Sequence, residues 1–532
     1  AAYRFGEDPD APAALIRSIK FGEAKIPPLF SAMQSYYAKN PFGKISIENS
    51  DKKPITNVEV SFFQPGFMDS PTKAASIDEI KPGEAKTVDL YAIFNQEVFR
   101  TEGITPLTGE VIVTYSAKGK AAEQRQSVTY DLHDKTALTW DDDRKAAAFI
   151  TPADSALRNY TSFIRQACKS SVITSYPETV QTAAQVFHAL GEIGILYQPD
   201  PTAPFASVKG DSLVVDSISL PRDTLSRITG DCDDLTVLYC SLLETVGIET
   251  AFITIPGHIF AAFNTKKPSR SYKEIHPERE LTINLDGELW VPVEITMFGK
   301  ASFLDAWRKA SEEYRAFDTA PEKRGFFVTK KAQEVFRPVG LRETDLGLQY
   351  GNKDAIVRNF SRDMEKLTDT LIAEYLQAAK ASGKKQDYNK LGIAYARFGQ
   401  YSKAEESFKK AIEIDRSYLE AEINLGNVQY LKGQYDAAAR AYDQVINNIR
   451  QRGGEKTSLL AKAYINSSKA YYAASRFEEA NKSFEAARLI DEDSAKEFAY
   501  LGVPLSENKE RAAEIQDSGI IFAEESEEEG MQ

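Results

Sequence analysis

Three residues near the middle of the chain have the types and order needed for nucleophilic chemistry at a carbonyl. Cys232 lies in Gly230-Asp231-Cys232-Asp233-Asp234. His258 follows 26 positions later in Pro256-Gly257-His258, and Glu294 comes another 36 positions on, ending Trp290-Val291-Pro292-Val293-Glu294. A thiol attacks as thiolate. A histidine can take its proton, and an acid can fix the histidine's tautomer. The arrangement expected is Glu294 accepting Nδ1–H of His258, with Nε2 turned to the thiol.

The elements that carry these residues can be read from pattern. Leu235, Leu238, Tyr239, Leu242, Leu243 and Val246 recur at helical spacing and Gly247 ends the run. A helix therefore begins near Asp231–Asp233, with Cys232 in its first turn. The amides and dipole of a helix start favour thiolate, while the three flanking aspartates oppose it. Glu249–Ile255 reads as a buried strand, Pro256-Gly257 as a turn and His258 as the opening of a second strand. Leu289–Ile295 alternates as a third strand after a turn at Asp286-Gly287. In a meander of the three, Glu294 is one strand over from His258. Asp286 is a rival acid, but its Asp-Gly setting marks a turn residue.

The remaining candidates read as structural. Cys168, Cys232 and Cys240 make an odd count, which is no disulfide framework. Cys168 and Cys240 lie among apolar or small residues and read as core packing. His133, His188 and His276 read as structural or surface groups. There is no Cys-x-x-Cys or His-x₃-His pair, the aspartates do not fit a calcium loop, and no Gly-rich phosphate loop occurs. No metal or cofactor is expected.

Gly-Asp-Cys, then Gly-His, then Trp with an acid four positions on, resembles the transglutaminase-like superfamily of papain-type thiol enzymes over about residues 150–318. The resemblance implies an α+β domain with Cys232 as nucleophile, His258 as base and Glu294 as third member, where the family usually has aspartate. It implies a protein or peptide substrate and acyl transfer through a thioester. Resolution by water would make a peptidase or amidase, and resolution by lysine a crosslinker. The Cys232 backbone N–H would be one oxyanion donor. Gln198 and the Asp216-Ser217 pair are candidates for the second.

Residues 1–140 read as β. Lys44–Asn49, Val58–Phe62 and Val111–Tyr115 are short alternating runs, punctuated at Asn49-Ser50-Asp51, Lys81-Pro82-Gly83-Glu84 and Lys118-Gly119-Lys120. This predicts a β-sandwich, immunoglobulin-like in architecture but without the Cys–Trp–Cys signature. Residues 141–318 mix helical and strand signals, with Asp141-Asp142-Asp143 able to cap a helix start. Residues 319–383 form a charged, partly helical connector. In it Ile356, Phe360, Met364, Leu367, Leu371 and Tyr375 make one stripe, stopped near Gly383.

Residues 384–492 repeat. Gly392 and Gly426, Gly399 and Gly433, Tyr401 and Tyr435, and Ala404 and Ala438 are each 34 apart. A third copy carries Arg476-Phe477-Glu478-Glu479-Ala480, with Ala438 to Ala480 spanning 42, an insertion of eight around Arg450–Thr457. The period resembles that of the tetratricopeptide family, which implies an α-solenoid with a face for a protein partner. Residues 493–532 form an acidic tail, partly disordered, ending in the run Ala523–Gly530.

The fold class expected is thus multidomain α+β. A net charge of −13 argues against a nucleic-acid binder and against docking on anionic lipid. No apolar run is long enough to span a bilayer. The start Ala1-Ala2-Tyr3 fits a mature exported chain or a trimmed one. The expectation is a bacterial periplasm or cell envelope, with the cytoplasm as alternative. The rival functional class is a non-enzymatic scaffold or protein-interaction protein whose transglutaminase-like domain is inactive or sealed.

Overall fold

A computed structural model of the chain describes residues 17–199, 214–341, 346–453, 458–502 and 519–524. The chain divides into two compact units. One holds residues up to 170, 179–272 and 278–363. The other holds 171–178, 273–277 and the residues from Met364 on.

The first unit opens with β structure. β1 (Ile19–Phe21), β2 (Leu29–Phe30), β3 (Gly43–Asn49), β4 (Ile55–Phe63), β5 (Thr72–Ile80), β6 (Ala85–Leu90), β7 (Ile104–Ala117) and β8 (Lys120–His133) make two sheets. Their orders are β1-β3-β6 and β2-β8-β7-β4-β5. Alternation does the work expected of it. Ile45 and Ile47 of β3, Val58, Val60 and Phe62 of β4, and Val88 of β6 are buried, and Phe42 meets Phe62 edge-on at 4.9 Å. All three turn signals fall between strands. β5 and β8 were not legible, because their exposed faces carry polar residues such as Lys73, Asp78, Glu123 and Arg125.

The central region follows. β9 (Ala137–Thr139) pairs with β11 (Val215–Ser217), and β10 (Leu196–Tyr197) pairs in parallel with β12 (Thr229–Gly230). Helices α1 (Ser155–Cys168), α2 (Glu178–Glu192), α3 (Pro221–Arg227) and α4 (Cys232–Glu244) precede the main sheet. Asp142 does cap a helical segment, the 3₁₀ turn Asp143–Phe149. The sheet is antiparallel, built from β13 (Thr250–Ile255), β14 (His258–Pro268), β15 (Ile283–Leu285), β16 (Glu288–Val293) and β17 (Gly325–Val328), in the order β15-β16-β14-β13-β17. Helix α5 (Phe303–Arg315) packs on it, its Ala310 joining a buried cluster with Phe260, Ala262 and Trp290.

The connector is partly helical, and its other part holds a strand that was not foreseen: β17 pairs with β13 from Ala251 to Thr254, so the central sheet takes its edge strand from beyond residue 318. Four residues flanked by charge are too short a run to register as a strand. After the short helix α6 (Thr329–Gln333) comes α7 (Lys353–Ser382), which does stop before Gly383. Ile356, Phe360, Met364 and Leu367 are buried as predicted. Beyond them the buried face moves to Ile372 and Ala379, and Tyr375 is 46 % exposed. The division between the units falls inside this helix, after Asp363, so its two halves answer to different cores.

The second unit is a stack of helix pairs: α8 (Lys385–Arg397) with α9 (Tyr401–Ile414), α10 (Leu419–Leu431) with α11 (Tyr435–Gln451), and α12 (Ser458–Ala473) with α13 (Phe477–Ile490). Ala404, Ala438 and Ala480 are fully buried. The insertion of eight is partly a longer α11, 17 residues against 14 in α9. The rest of it runs on to Thr457, and residues 454–457 lie outside the described residues. Helix α14 (Glu492–Lys496) follows. Within the tail, residues 519–524 are packed on the repeats, the start of the acidic run included: Ile520 is 9 % exposed and Ala523 fully buried. The apolar triplet Ile520-Ile521-Phe522 ahead of the acids accounts for this. Residues 525–532, which carry most of the acidic run, lie outside the described residues.

Candidate functional site

Asp231 is the N-cap of α4: its carboxylate accepts from Asp234 N, as an N-cap side chain should. Cys232 is therefore the first helical residue, as the leucine spacing predicted. Its thiol does not behave as the helix start alone would suggest. Cys232 is only 5 % exposed. Burial pushes its pKa well above the ordinary value, and Asp233 and Asp231 push the same way. The Ile259 backbone amide favours thiolate but is outweighed.

The three aspartates are tied to each other. Asp234 N donates to Asp233 Oδ1 at 2.7 Å, and Asp234 Oδ1 accepts from Ser219 N at 2.6 Å. Asp233 is fully buried and its Oδ2 has no hydrogen-bond partner among the described residues. Burial, then Asp231, hold Asp233 protonated well above the usual carboxylate range. Burial likewise raises Asp234 to about 6.

His258 opens β14 directly after the Pro256-Gly257 turn, paired with Ile255. Glu294 sits one residue past β16, where it caps the 3₁₀ turn Ile295–Met297 through Thr296 N. The register pairs Ala261 with Val293. Extended by one residue it sets Glu294 opposite Phe260, two along from His258 and on the same face of the sheet. His258 Nε2 donates to Glu294 Oε2 at 2.7 Å. The pairing of histidine and acid is as the spacing suggested, but the nitrogens are exchanged: the acid holds Nε2 and leaves Nδ1.

A third member was not foreseen. Glu313 of α5 brings Oε2 to 3.8 Å from His258 Nε2, and its Oε1 is 3.1 Å from Lys309 Nζ. Burial raises its pKa, and the neighbouring Glu294 carboxylate pushes the same way. Glu294 is pulled down to about 2: burial opposes this, and the His258 hydrogen bond overcomes it. For His258 burial again opposes, but Glu294 wins and the pKa rises. A glutamate on an amphipathic helix gives no sequence signal of this kind, because only the docking of α5 on the sheet brings it in.

Cys232 is not hydrogen-bonded to His258 among the described residues. His258 lies over Phe260, ring centroids 5.7 Å apart, on the sheet face that α5 covers. Of the candidate oxyanion donors, Asp216 is committed to Trp140 Nε1 at 2.7 Å, and Ser217 N to Asp216 at 2.8 Å. Gln198 is exposed and anchored to the strand leading into Cys232, its backbone N–H donating to Gly230 O at 2.9 Å. Two clusters present possible metal donors within 4.8 Å: His258 with Glu294 and Glu313, and Asp231 with Asp233 and Asp234. In the first, His258 Nε2 is already bonded to Glu294, and in each cluster one buried carboxylate oxygen, Glu313 Oε2 or Asp233 Oδ2, has no hydrogen-bond partner among the described residues.

The other candidates are accounted for by packing. Cys168 and Cys240 are fully buried, and Cys240 Sγ donates to Ala251 O at 3.6 Å. His188 Nε2 meets Asp363 Oδ2 at 2.8 Å in the interior. His133 stacks on Phe30 at 5.0 Å, and His276 is buried.

No curated protein matches the chain. Among solved structures, MamA covers 27 % of this chain and 85 % of its own at 22 % identity and a TM-score of 0.20. MamA from Desulfovibrio magneticus RS-1 covers 31 % of this chain and 91 % of its own at 20 % identity and 0.22. Native alpha-2-macroglobulin from Escherichia coli covers 88 % of this chain and 62 % of its own at 12 % identity and 0.17. None of these scores carries an argument about the fold. The match that does name part of the molecule is local: residues 387–418, helices α8 and α9 with the approach to α10, are a tetratricopeptide repeat.

Proposed function

We propose that the chain joins a protein-binding helical repeat to a transglutaminase-like thiol acyl-transfer domain over residues 141–318, with an immunoglobulin-like sandwich over residues 1–140 as spacer. The tetratricopeptide repeat indicates protein–protein interaction. For the acyl-transfer reading, the supporting observation is the 2.7 Å bond between His258 Nε2 and Glu294, which commits one nitrogen and leaves Nδ1 for proton transfer. In this mechanism His258 takes the Cys232 proton as Sγ attacks an amide carbon. The tetrahedral intermediate collapses with cleavage of the C–N bond, and His258 returns that proton to the leaving amine. Water or an amine then cleaves the thioester. The Cys232 N–H and Gln198 are the oxyanion donors in this reading.

One observation favours the scaffold alternative. Cys232 is 5 % exposed and its thiol is held protonated, so a site without an opening step would be sealed. A thiol-reactive probe separates the two across a pH range of about 6 to 9, where thiolate fraction governs the rate. Cys168 and Cys240 are fully buried, so labelling reports on Cys232. The acyl-transfer reading expects wild type to label faster than Cys232→Ala, and His258→Ala to slow the reaction by about tenfold or more, the effect of one pKa unit. Labelling no faster than Cys232→Ala establishes the sealed domain.

A further inference from the structure

The helical repeats carry a row of polar side chains where apolar packing is the rule. Asn389 of α8, Asn424 and Asn427 of α10 and Asn466 of α12 are all no more than 1 % exposed. A buried amide costs stability unless it is hydrogen-bonded. These four are bonded to each other: Asn424 Nδ2 to Asn389 Oδ1 at 2.9 Å, Asn427 Nδ2 to Asn424 Oδ1 at 3.0 Å, and Asn466 Nδ2 to Asn427 Oδ1 at 2.9 Å.

They are also bonded to residues 519–524. Asn466 accepts from Ile521 N at 3.1 Å and donates to Ile521 O at 2.7 Å. Asn424 does the same for Ala523, at 2.9 and 2.8 Å. Asn427 adds a second donor to Ile521 O at 3.0 Å, and Asn389 one to Ala523 O at 2.9 Å. Lys469 Nζ reaches Gly519 O at 3.0 Å. Two asparagines each read both polar atoms of one residue, as a neighbouring strand would. The residues read are two apart, which is the repeat of extended chain. The segment runs from α12 toward α8, against the order of the repeats.

This row is built into the repeat. Asn424 to Asn466 and Asn427 to Lys469 both span 42, the offset that also separates Ala438 from Ala480. The readers of the second and third repeats thus occupy equivalent places, while Asn389 of the first lies one residue out of that register. The asparagines also link neighbouring helices, and Asn427 Oδ1 accepts from Tyr442 Oη at 2.7 Å, but close packing within a pair is set by other residues, with Gly392 against Phe408 and Gly426 against Tyr442.

We propose that the row of first helices is a receptor for an extended protein segment recognised through its backbone, and that residues 519–524 fill it in cis as a competitor. The partner is a protein with an extended stretch carrying aliphatic or small side chains at the places of Ile520 and Ala523, and it enters when the chain's own segment leaves. Sixteen residues separate Gly502 from Gly519. A tether of that length holds its segment at an effective concentration on the order of 1 mM. A free segment of equal intrinsic affinity is therefore excluded at micromolar concentration. The proposal is independent of the acyl-transfer reading.

The test uses a fluorescently labelled peptide of residues 519–528 and fluorescence anisotropy. Two released proteins are compared with the full chain. One ends at Ser518, and the other keeps its length but carries Ile520→Asp with Ala523→Arg. Both are expected to bind the peptide at least tenfold more tightly than the full chain. Adding Asn424→Ala with Asn466→Ala to either is expected to abolish binding. Equal binding by full and released proteins, or no binding by any of them, overturns the proposal. So does loss of the wild-type helical circular-dichroism melt in both released proteins, because the segment is then an integral part of the fold.

Discussion

At His258, burial and charge pull in opposite directions, and charge wins through Glu294. Its folded pKa lies above the unfolded 6.5, so its contribution to stability is full below that value and is lost as pH rises through the folded one. Glu294 runs the other way: its contribution is full above 4.5 and is lost as pH falls through about 2. With four histidines in the chain, an NMR titration resolves each ring. Glu294→Gln is expected to drop the His258 pKa by about one unit or more, the equivalent of ~1.4 kcal/mol, and Glu313→Gln by less. An unmoved His258 in Glu294→Gln would mean the pair is absent in solution. Asp233 titrates with the sign of His258, opposite to that of Glu294. Its raised pKa makes the folded state bind the proton more tightly, so stability falls as pH rises above the ordinary carboxylate value. Asp233→Asn can keep the bond from Asp234 N and donate to Asp231. It is expected to raise stability at pH near 8 by about 1 kcal/mol or more, and to flatten the pH dependence of the thermal midpoint. The residue types and order at Cys232, His258 and Glu294 were legible in the sequence. The thiol's protonation, the choice of Nε2 and the arrival of Glu313 were not, because each depends on burial and docking.

The helix pairs show why their period was easy to read and where it fades. A Cβ on Gly392 would come within 2.5 Å of Phe408, and one on Gly426 within 2.6 Å of Tyr442. The packing therefore demands glycine opposite a ring in the first two repeats. The third has Ser468 at the equivalent place, its Oγ donating to Ala480 O at 2.7 Å. Gly426→Ala is expected to destabilise by about 1–3 kcal/mol from overpacking, less the ~1 kcal/mol gained in helix propensity. The turn closing each pair tells the same story. Gly399 and Gly433 have φ of +75° and +76°, and Ser475 takes their place at +61°. A side chain in that left-handed conformation costs about 1–2 kcal/mol. Ser475→Gly is expected to return about 1 kcal/mol of it, seen as a higher thermal midpoint. Elements without such a steric rule stayed hidden. β17 is four residues long, β5 and β8 carry polar outer faces, and the docked segment at 519–524 was masked by the acids that follow it.

Across the whole molecule, each unit has its own core. Phe260, Trp290 and Ala310 belong to a cluster in the first, and Phe408 and Tyr442 centre two clusters in the second. The division falls inside α7, whose buried residues include Ile356 and Phe360 before it and Ile372 and Ala379 after it. Each unit buries its own clusters, so their stabilities are expected to be separable. Calorimetry should then show two transitions with different sensitivities. Gly426→Ala should lower only the one belonging to the repeats, by about 2–4 °C per kcal/mol for a domain of this size. Asp233→Asn at pH near 8 should raise only the other. If both substitutions move a single shared transition, α7 transmits unfolding from one core to the other and the molecule melts as one cooperative body. The same pair of variants then tells whether release of residues 519–524 is a local event. A tail truncation that moves the repeat transition alone places its stabilising contacts within the second unit, where Ile520 and Ala523 join the buried cluster and the asparagines hold the backbone.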